Sequence, residues 1–347
     1  MPPDFASPDL SPELKTVACP RCPLCHEAGE PFHTALRDEA FGAPGCWNFR
    51  KCRRCGTLWL DPRPAPERLD LFYPPQYLTH SPPRDLFGPA GDGLGRLRFQ
   101  LKLEVLHRAY GYKARSAWRS VRLAGRLAAR LPGWRRRVGF SIRFVPAGPG
   151  RLLDVGCGNG EFLLTMTRLG WKVCGLEPDS AAAELARACG LQIENQPIES
   201  ARLVPESFGA ITLHHVLEHL PDPVAAMQKL GQALQPGGVL VSVSPNPAGT
   251  LAGWFGRSWR ELDPPRHFAL FPPDAVARLA WQAGLIPKVF TITRMSEWVA
   301  QESLTLRERR NRWMPRLLAA ACEVAARVDR AAGEEVVLLA RRPSMLR

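Results

Sequence analysis

Three groups of residues in this chain have types and spacings that can do chemistry. The first is Leu152–Gly160, LLDVGCGNG, followed by Glu161-Phe162-Leu163-Leu164. An apolar run ends at Asp154, glycines recur at Gly156, Gly158 and Gly160, and a helical pattern opens at Glu161. Glycine is needed where backbone turns sharply or approaches a ligand closely, and a helix N-terminus adds unpaired N–H donors. Glu177 closes the next apolar run, 17 residues beyond Gly160. A carboxylate there can accept both hydrogen bonds of a ribose diol. No Gly-Lys-Ser/Thr follows, which argues against a triphosphate cradle. A plain strand-to-helix turn is the competing reading of the glycines alone.

The second group is Cys22-Pro-Leu-Cys25 and Cys52-Arg-Arg-Cys55, two C-x2-C units separated by 26 residues. Two such knuckles complete a tetrahedral four-thiolate zinc site with no position left for a catalytic water, hence a structural one. Gly56 suits the tight turn after the second knuckle. Cys19-Pro-Arg-Cys22 offers a second register, and chance spacing of reduced thiols is the plain alternative. Cys157 reads as a small filler of the glycine turn. Cys174, Cys189 and Cys322 sit in apolar patterns that predict burial, and Cys46 has no assignment.

The third group is His214, His215, Glu218 and His219. Adjacent His214 and His215 face different ways, whereas His215 and His219 share a face if a helix starts there. That spacing suits a metal pair, but no third ligand is visible. Packing beneath a ligand and direct contact with cofactor or substrate are the other readings. Further on, Asp263–Phe268 (DPPRHF) is a polar loop segment of the kind that carries function on a rigid scaffold, although Pro264-Pro265 also suits a structural turn.

The elements that must position these residues are legible in the same way. Seven strand-like runs, RLLDV, WKVCGLE, LQIE, FGAITL, GGVLVSVS, IPKVFTIT and EEVVLLARR, alternate with helical or looped stretches from residue 150 onward. That alternation predicts an α/β fold with a wound sheet. The chain has 347 residues and a net charge of +13, and residues 94–144 carry all of the excess, with 14 Lys and Arg against Glu104 alone. Residues 94–131 have a helical pattern in which Arg115, Arg119, Arg122, Arg126 and Arg130 form one stripe. Ala117, Val121, Ala124, Ala128 and Leu131 lie nearly opposite. This basic insert can be a solvated helix face, a contact for an anionic membrane surface, or a grip on RNA phosphates. Eight prolines in residues 61–93 predict an irregular connection whose aromatics, Phe72, Tyr73, Tyr77 and Phe87, pack on something. Residues 1–18 read as a flexible tail, without the basic start and apolar stretch of a secretory leader. Ten cysteines in such a chain point to a reducing, cytoplasmic setting, peripheral to the inner membrane face if the insert meets lipid.

The segments DVGCGNG (154–160), GLEPD (175–179), FGAITLHHVLEHLPDP (208–223) and LQPGGVLVSVSPN (234–246) together resemble class I S-adenosylmethionine-dependent methyltransferases, in that family's order and spacing. The likeness covers 150–294 strongly and the last strand loosely. Cys22/Cys25, CRRCGTLWLDPRP (52–64) and FYPPQY (72–77) resemble the N-terminal zinc ribbon of bacterial methyltransferases linked to surface-polysaccharide or sugar modification. That likeness favours Cys22, Cys25, Cys52 and Cys55 as the metal ligands.

The resemblance implies a Rossmann-like seven-stranded class I methyltransferase sheet with a small N-terminal zinc ribbon and a basic helical insert. The expected division is a tail (1–18), ribbon (19–60), Pro-rich connection (61–93), basic helical segment (94–149) and S-adenosylmethionine-binding domain (150–347). It further implies that Asp154, Gly156 and Gly158 line the methionine end of S-adenosylmethionine and that Gly160 shapes the turn. Glu177 would hold the ribose, Pro178 and Asp179 would lie near the adenosine, Ile198 near the adenine, and His214 near the methionyl part. Glu218 and His219 correspond to a Glu-His segment lining the active site of ubiquinone-pathway O-methyltransferases. Residues 263–268 correspond to an acceptor lid, in which His267 would be a base and Arg266 would bind an anionic acceptor, with Trp254 and Trp259 as an apolar wall. The expected reaction is methyl transfer to an oxygen or nitrogen of a small-molecule or glycan-type acceptor. RNA methylation, and a non-catalytic module acting through ribbon and basic helix, are the rivals.

Overall fold

The computed structural model describes residues 14–73, 81–83, 92–148, 150–308 and 312–344. Residues 1–13 of the expected tail, and 74–80 and 84–91 of the connection, with Tyr77 and Phe87, lie outside the described residues. The chain begins with β1 (Thr16–Val17), β2 (Glu30–Leu36), β3 (Trp47–Lys51), β4 (Leu58–Leu60) and β5 (Arg63–Pro64). Helices α1 (Gly93–Tyr110), α2 (Arg119–Ala128) and α3 (Pro132–Ser141) follow. Then come β6 (Arg151–Val155), α4 (Glu161–Arg168), β7 (Lys172–Leu176), α5 (Ser180–Ala188), β8 (Ile193–Glu194), β9 (Phe208–His214), α6 (Pro223–Ala233) and β10 (Leu234–Pro245). The chain continues with α7 (Thr250–Phe255), β11 (Ala269–Leu270), α8 (Pro273–Gln282), β12 (Ile286–Ile292), α9 (Ser296–Leu306), α10 (Met314–Val328) and β13 (Glu335–Arg341).

All seven strand-like runs are strands of one sheet, ordered β12-β13-β10-β9-β6-β7-β8. β6 runs parallel to both β7 and β9, and β7 parallel to β8. The chain winds outward from β6 in both directions, so the turn after β6 opens at the switch point where α/β sheets bind ligands.

Two compact units divide the chain. One gathers residues before 78 with 215–229 and 242–338; the other gathers 78–214, 230–241 and 339 onward. In the first unit β2, β3 and β4 form an antiparallel meander, and β11 adds to β4 with Leu270 opposite Leu58. Trp47, Phe49, Leu58 and Leu60 share one core with Phe72, Phe255, Trp259, Leu262, Phe268 and Leu304. A ribbon of this length is too small to bury such an aromatic cluster alone, so residues from 251–304 complete its core. Phe72, in the connection, does pack as its aromatic character suggested.

In the second unit the basic segment differs from the single helix expected over 94–131. α1 ends at Gly111, which takes a left-handed conformation with φ 79° and directs its N–H to the Leu106 carbonyl. Helix resumes only at Arg119, so Arg115 leaves the arginine stripe and instead faces Glu104 at 3.7 Å. Glu104 is fully buried and also meets Arg108 at 3.3 Å and the Ser116 N–H at 3.1 Å. The buried face of α2 is Val121, Gly125 and Ala128, while Leu123, Leu127 and Leu131 stand exposed. Of the five residues expected on the inward face only Val121 and Ala128 are buried; Ala117 and Leu131 lie outside α2, and Ala124 is exposed on it. Gly125 sets the rotation of α2: a Cβ there would lie 2.4 Å from Glu104 Cβ, so the helices meet backbone to side chain. Among the described residues, no helix is long and apolar enough to cross a membrane.

Candidate functional site

The glycine turn is built as its residue types require. Gly156, Gly158 and Gly160 have φ of 65°, 56° and 81°, a region open to glycine and costly to other residues. A Cβ on Gly160 would meet Leu191 Cδ1 at 2.4 Å and Ala186 Cβ at 3.0 Å, so this glycine also permits close packing of the turn. Gly156 N–H and Cys157 N–H donate to the Leu176 carbonyl at 2.8 and 3.1 Å, tying the turn to the end of β7. Glu177 follows directly. Its Oε2 accepts from Gly158 N–H at 2.7 Å and its Oε1 from Asp179 N–H at 3.0 Å. Burial pushes its carboxyl above the ordinary range, and those two N–H groups oppose the shift. Each oxygen retains acceptor capacity for a diol. The residues present therefore fit a nucleoside: a positive-φ glycine turn, a helix N-terminus and a fixed carboxylate converge on one strand end.

The remaining cofactor candidates occupy distinct positions. Asp179 caps α5 by accepting from Ala182 N–H at 2.8 Å. Pro178 is exposed, Ile198 is buried, and His214 packs edge-on against Phe140 at 5.7 Å. Asn195, not singled out from the sequence, donates to the Glu177 and Pro178 carbonyls at 2.8 and 3.0 Å and pins the strand end. Asp154 is fully buried rather than lining an open surface; its Oδ1 accepts from Thr212 Oγ1 at 2.7 Å and from Arg143 Nη1. Burial raises its carboxyl, while the Arg143 charge and the Thr212 hydroxyl pull it down. Nothing in the sequence pairs Arg143, inside the basic insert, with this aspartate.

A second cluster lies in the first unit. His215 has φ of 54° and begins a turn in which residues 217–219 form a short 3-10 helix. Phe268 N–H donates to the Glu218 carbonyl at 2.7 Å, joining this turn to the 263–268 segment. Glu218, His219 and His267 are brought together: one donor atom of each lies within 4.8 Å of the others. The His219 and His267 rings stand 4.8 Å apart, edge to face. His219 Nδ1 lies 2.9 Å from the Arg266 carbonyl and 3.2 Å from Tyr73 Oη, and His267 Nδ1 lies 2.7 Å from the Glu261 carbonyl. Burial, with His219 beside it, lowers the His267 pKa to about 4, so the ring is neutral near pH 7. Burial works to raise the Glu218 carboxyl, but His215, His219 and His267 overcome it and hold it below the ordinary range. Burial opposes charge on His215, yet Glu218 and Glu335, 3.3 and 3.1 Å from its ring nitrogens, raise its pKa well above the usual value. Glu261, unremarked in the sequence, is pushed up to about 7 by burial.

Arg266 is a correction. It was expected to bind an anionic acceptor, but it is buried, and all its N–H groups are engaged within the protein. Nε donates to Asp263 at 2.9 Å, Nη1 to Asp38 and the Phe72 carbonyl at 2.7 and 3.2 Å, and Nη2 to Asp38 and Asp263 at 2.9 and 2.6 Å. A guanidinium has five N–H donors, so none is left for a ligand. Its work is to fasten the 263–268 segment to the ribbon. Trp259 lies in the apolar core, while Trp254 is exposed, so the two do not share one wall.

The four predicted cysteines converge. Sγ–Sγ distances are 3.6 Å for Cys22–Cys55, 3.4 Å for Cys25–Cys52 and 3.7 Å for Cys25–Cys55. Four sulfurs about 2.3 Å from one tetrahedral ion stand about 3.8 Å apart, so the set fits zinc. The knuckles match: Cys22 N–H donates to Glu27 O and Cys52 N–H to Thr57 O, each at 2.9 Å, and Gly56 makes its turn at φ 72°. Cys19 is outside the cluster, with its Sγ 3.6 Å from the Val17 carbonyl and its N–H on Asp61. Cys322 is buried as expected, and Cys157, the filler of the glycine turn, is buried too; against expectation Cys189, at the C-terminal end of α5, is exposed and Cys174, within β7, is half-buried.

Residues 118–286 match a family model described as a methyltransferase domain. The ubiquinone biosynthesis O-methyltransferase of Nitrosococcus oceani is 42% identical over 95 residues, covering 25% of this chain and 40% of that protein. The enzyme of the same name from Aeromonas salmonicida is 30% identical over 149 residues, 39% of this chain and 63% of its own length. The chain thus spans less than two thirds of these relatives. A solved S-adenosylmethionine-dependent methyltransferase from Thermotoga maritima aligns with a TM-score of 0.42 at 16% identity, over 61% of this chain and 96% of its own.

Proposed function

We propose, from the premise that the chain carries a class I S-adenosylmethionine-dependent methyltransferase domain, that it transfers a methyl group to an oxygen of a small-molecule acceptor. The observation that carries this reading is the Glu177 carboxylate, held by Gly158 and Asp179 N–H groups at the end of β7 beside the positive-φ glycine turn. Glu177 would hold the ribose hydroxyls, and Gly156 and Gly158 would let backbone approach the methionyl end. When bound, S-adenosylmethionine supplies a methyl already activated on a sulfonium. Little acid–base work remains for the protein, and orientation of donor and acceptor supplies up to about 7–11 kcal/mol of the barrier. His267 is neutral near pH 7 and has a ring lone pair for the acceptor's proton, but burial holds its pKa at about 4, which makes it a weak base; Glu218 and His219 flank it. The choice of oxygen rests on the names of the relatives. Nitrogen and glycan acceptors are the alternatives that a substrate screen separates.

Incubating the pure protein with methyl-labelled S-adenosylmethionine and fractionated cell extract tests this. Label in small molecules supports the reading; label confined to RNA or saccharide replaces the acceptor class, and no transfer leaves the non-catalytic rival. Glu177→Ala is expected to weaken S-adenosylmethionine binding about 10- to 100-fold, the loss of one or two charge-assisted hydrogen bonds. Unchanged calorimetric affinity would remove Glu177 from the site. We also propose that Cys22, Cys25, Cys52 and Cys55 hold a structural zinc ion, checked by elemental analysis of the purified chain.

For the basic segment, Leu123, Leu127 and Leu131 standing exposed beside Arg119, Arg126 and Arg130 support a lipid surface over RNA. Exposed leucines at this spacing suit acyl chains, and the exposed Trp118 beside Arg119 suits a membrane interface as well as base stacking, so the leucines are what favour lipid. Co-sedimentation with anionic vesicles, set against RNA gel shift, separates the two.

A further inference from the structure

We propose that the cavity between the end of β2 and the 257–264 segment binds a small monoanionic carboxylate with an apolar body. Its walls are residues 35–40, 257–260, 262–264 and Leu306, all within one compact unit. It encloses about 160 Å³. A cavity of about 150 Å³ accommodates benzene, so one aromatic ring is the size of body that fits.

The charge comes from Arg37, Arg257 and Arg260, which line it. Arg260 is 8% exposed, and its Nη1 donates to Asp263 at 2.7 Å. Its Nε and Nη2 donate to no acceptor among the described residues. The Phe41 and Trp298 rings lie 5.5 and 5.9 Å from its Cζ and hold the group without using its N–H edge. Arg266 nearby has every donor engaged, so the two buried guanidiniums differ in what they leave for a ligand. A buried cation with most of its donors unmatched is costly, and a carboxylate matches the planar fork with two parallel hydrogen bonds. Arg37 and Arg257 are exposed and stand at the rim. Arg257 spends one donor on the Ala35 carbonyl at 3.3 Å, and the Arg37 side chain makes no hydrogen bond or ion pair among the described residues.

Asp38, Glu39 and Asp263 also line the cavity, but Arg266 binds Asp38 and Asp263. With Arg266 included, four guanidiniums meet three carboxylates, and the surplus of one positive charge suits a monoanion. Glu261 is not among the lining residues. Leu36, Leu262, Pro264 and Leu306 supply the apolar wall for the body of the ligand. The backbone is shaped for this. His33 pairs with Phe49 and Leu36 with Trp47, so β2 carries one residue more than β3 at this point. Ala35, inside that bulge, has φ of 52°, a conformation costly to a residue with a Cβ, and Asn48 Oδ1 accepts from its N–H at 2.9 Å. Bulges re-aim a strand and are over-represented beside sites; this one turns residues 35–40 over the cavity.

The test titrates the full chain calorimetrically with benzoate and, in parallel, with benzyl alcohol and inorganic phosphate. Expected is saturable binding of one benzoate per chain, with both other probes at least about 10-fold weaker, since one lacks the charge and the other the apolar body. The double variant Arg37→Gln/Arg257→Gln should weaken benzoate about 3- to 10-fold, because rim charges are screened. Arg260→Gln should weaken it about 10- to 100-fold. Absence of saturable benzoate binding overturns the proposal, as does benzyl alcohol or phosphate binding as tightly as benzoate. Undiminished affinity in the rim double variant also overturns it, by placing the benzoate elsewhere, as on the basic segment 94–144. Those results hold whether or not Arg260→Gln folds. Binding is read without S-adenosylmethionine, so the outcome is independent of the methyl-transfer reading.

Discussion

Replacing Asp38 with alanine removes the acceptor from five N–H donors at once. Its oxygens take Arg266 Nη1 and Nη2 at 2.7 and 2.9 Å and the backbone N–H groups of Ala40, Phe41 and Ala43 at 3.2, 3.0 and 2.9 Å. Arg266 stays buried and keeps Asp263, but loses half of its charge balance. Removing one partner of a buried ion pair costs about 3–5 kcal/mol, because the other charge is left uncompensated. With a urea slope of about 1–3 kcal/mol/M, the unfolding midpoint should fall by at least about 1 M. The pH dependence carries the signature. Burial works to raise the Asp38 carboxyl, but Arg266 and the backbone N–H groups hold it below its ordinary 3.8. Such a depressed carboxyl contributes stability that is complete above the unfolded pKa and lost as pH falls through the folded one. The wild-type chain should therefore exceed Asp38→Ala by its full margin at pH 7, and the margin should shrink below about pH 4. Asp38→Asn, which keeps an acceptor but loses the charge, should fall between. A loss below about 1 kcal/mol at pH 7, or a margin that does not change with pH, would refute the reasoning.

Arg143→Met should destabilise the second unit by about 3–5 kcal/mol, since Asp154 is fully buried and its Oδ2 already lacks a hydrogen-bond partner; an unchanged urea midpoint would count against the pairing. Gly125→Val should cost about 1–3 kcal/mol by overpacking against Glu104, where the new Cβ would meet Glu104 Cβ at 2.4 Å. Gly133→Ala in α3 is its control: a Cβ there meets nothing within 4 Å, so thermal melting should be unchanged or slightly raised. Equal melts for the two variants would mean that α1 and α2 do not cross closely.

Much of the scaffold was legible because it is written locally. A strand announces itself by a short apolar run, a ligand turn by glycines at alternate positions, and a knuckle by C-x2-C. Each needs only residues a few positions apart, and the seven strands, the turn at 156–160 and the cysteine set all appear where those rules put them. The break at Gly111 is local too, but an arginine periodicity across 115–130 predicts a continuous helix, whereas a single glycine in the left-handed conformation ends it.

The side-chain partnerships were decided by tertiary structure. Periodicity says which face of an element is buried but not what it is buried against. Hence the sequence pointed to Arg266 as a ligand-binding cation, and folding saturated it with Asp38, over 200 positions away. Hence also His267 meets Glu218 and His219, because it reaches them through a distant segment tied back by Phe268 and Arg266. Arg143 and Asp154 meet for the same reason. A charge is legible in a sequence, but its partner is set by how distant segments pack, since a buried charge must find its counterion wherever the fold brings one within reach.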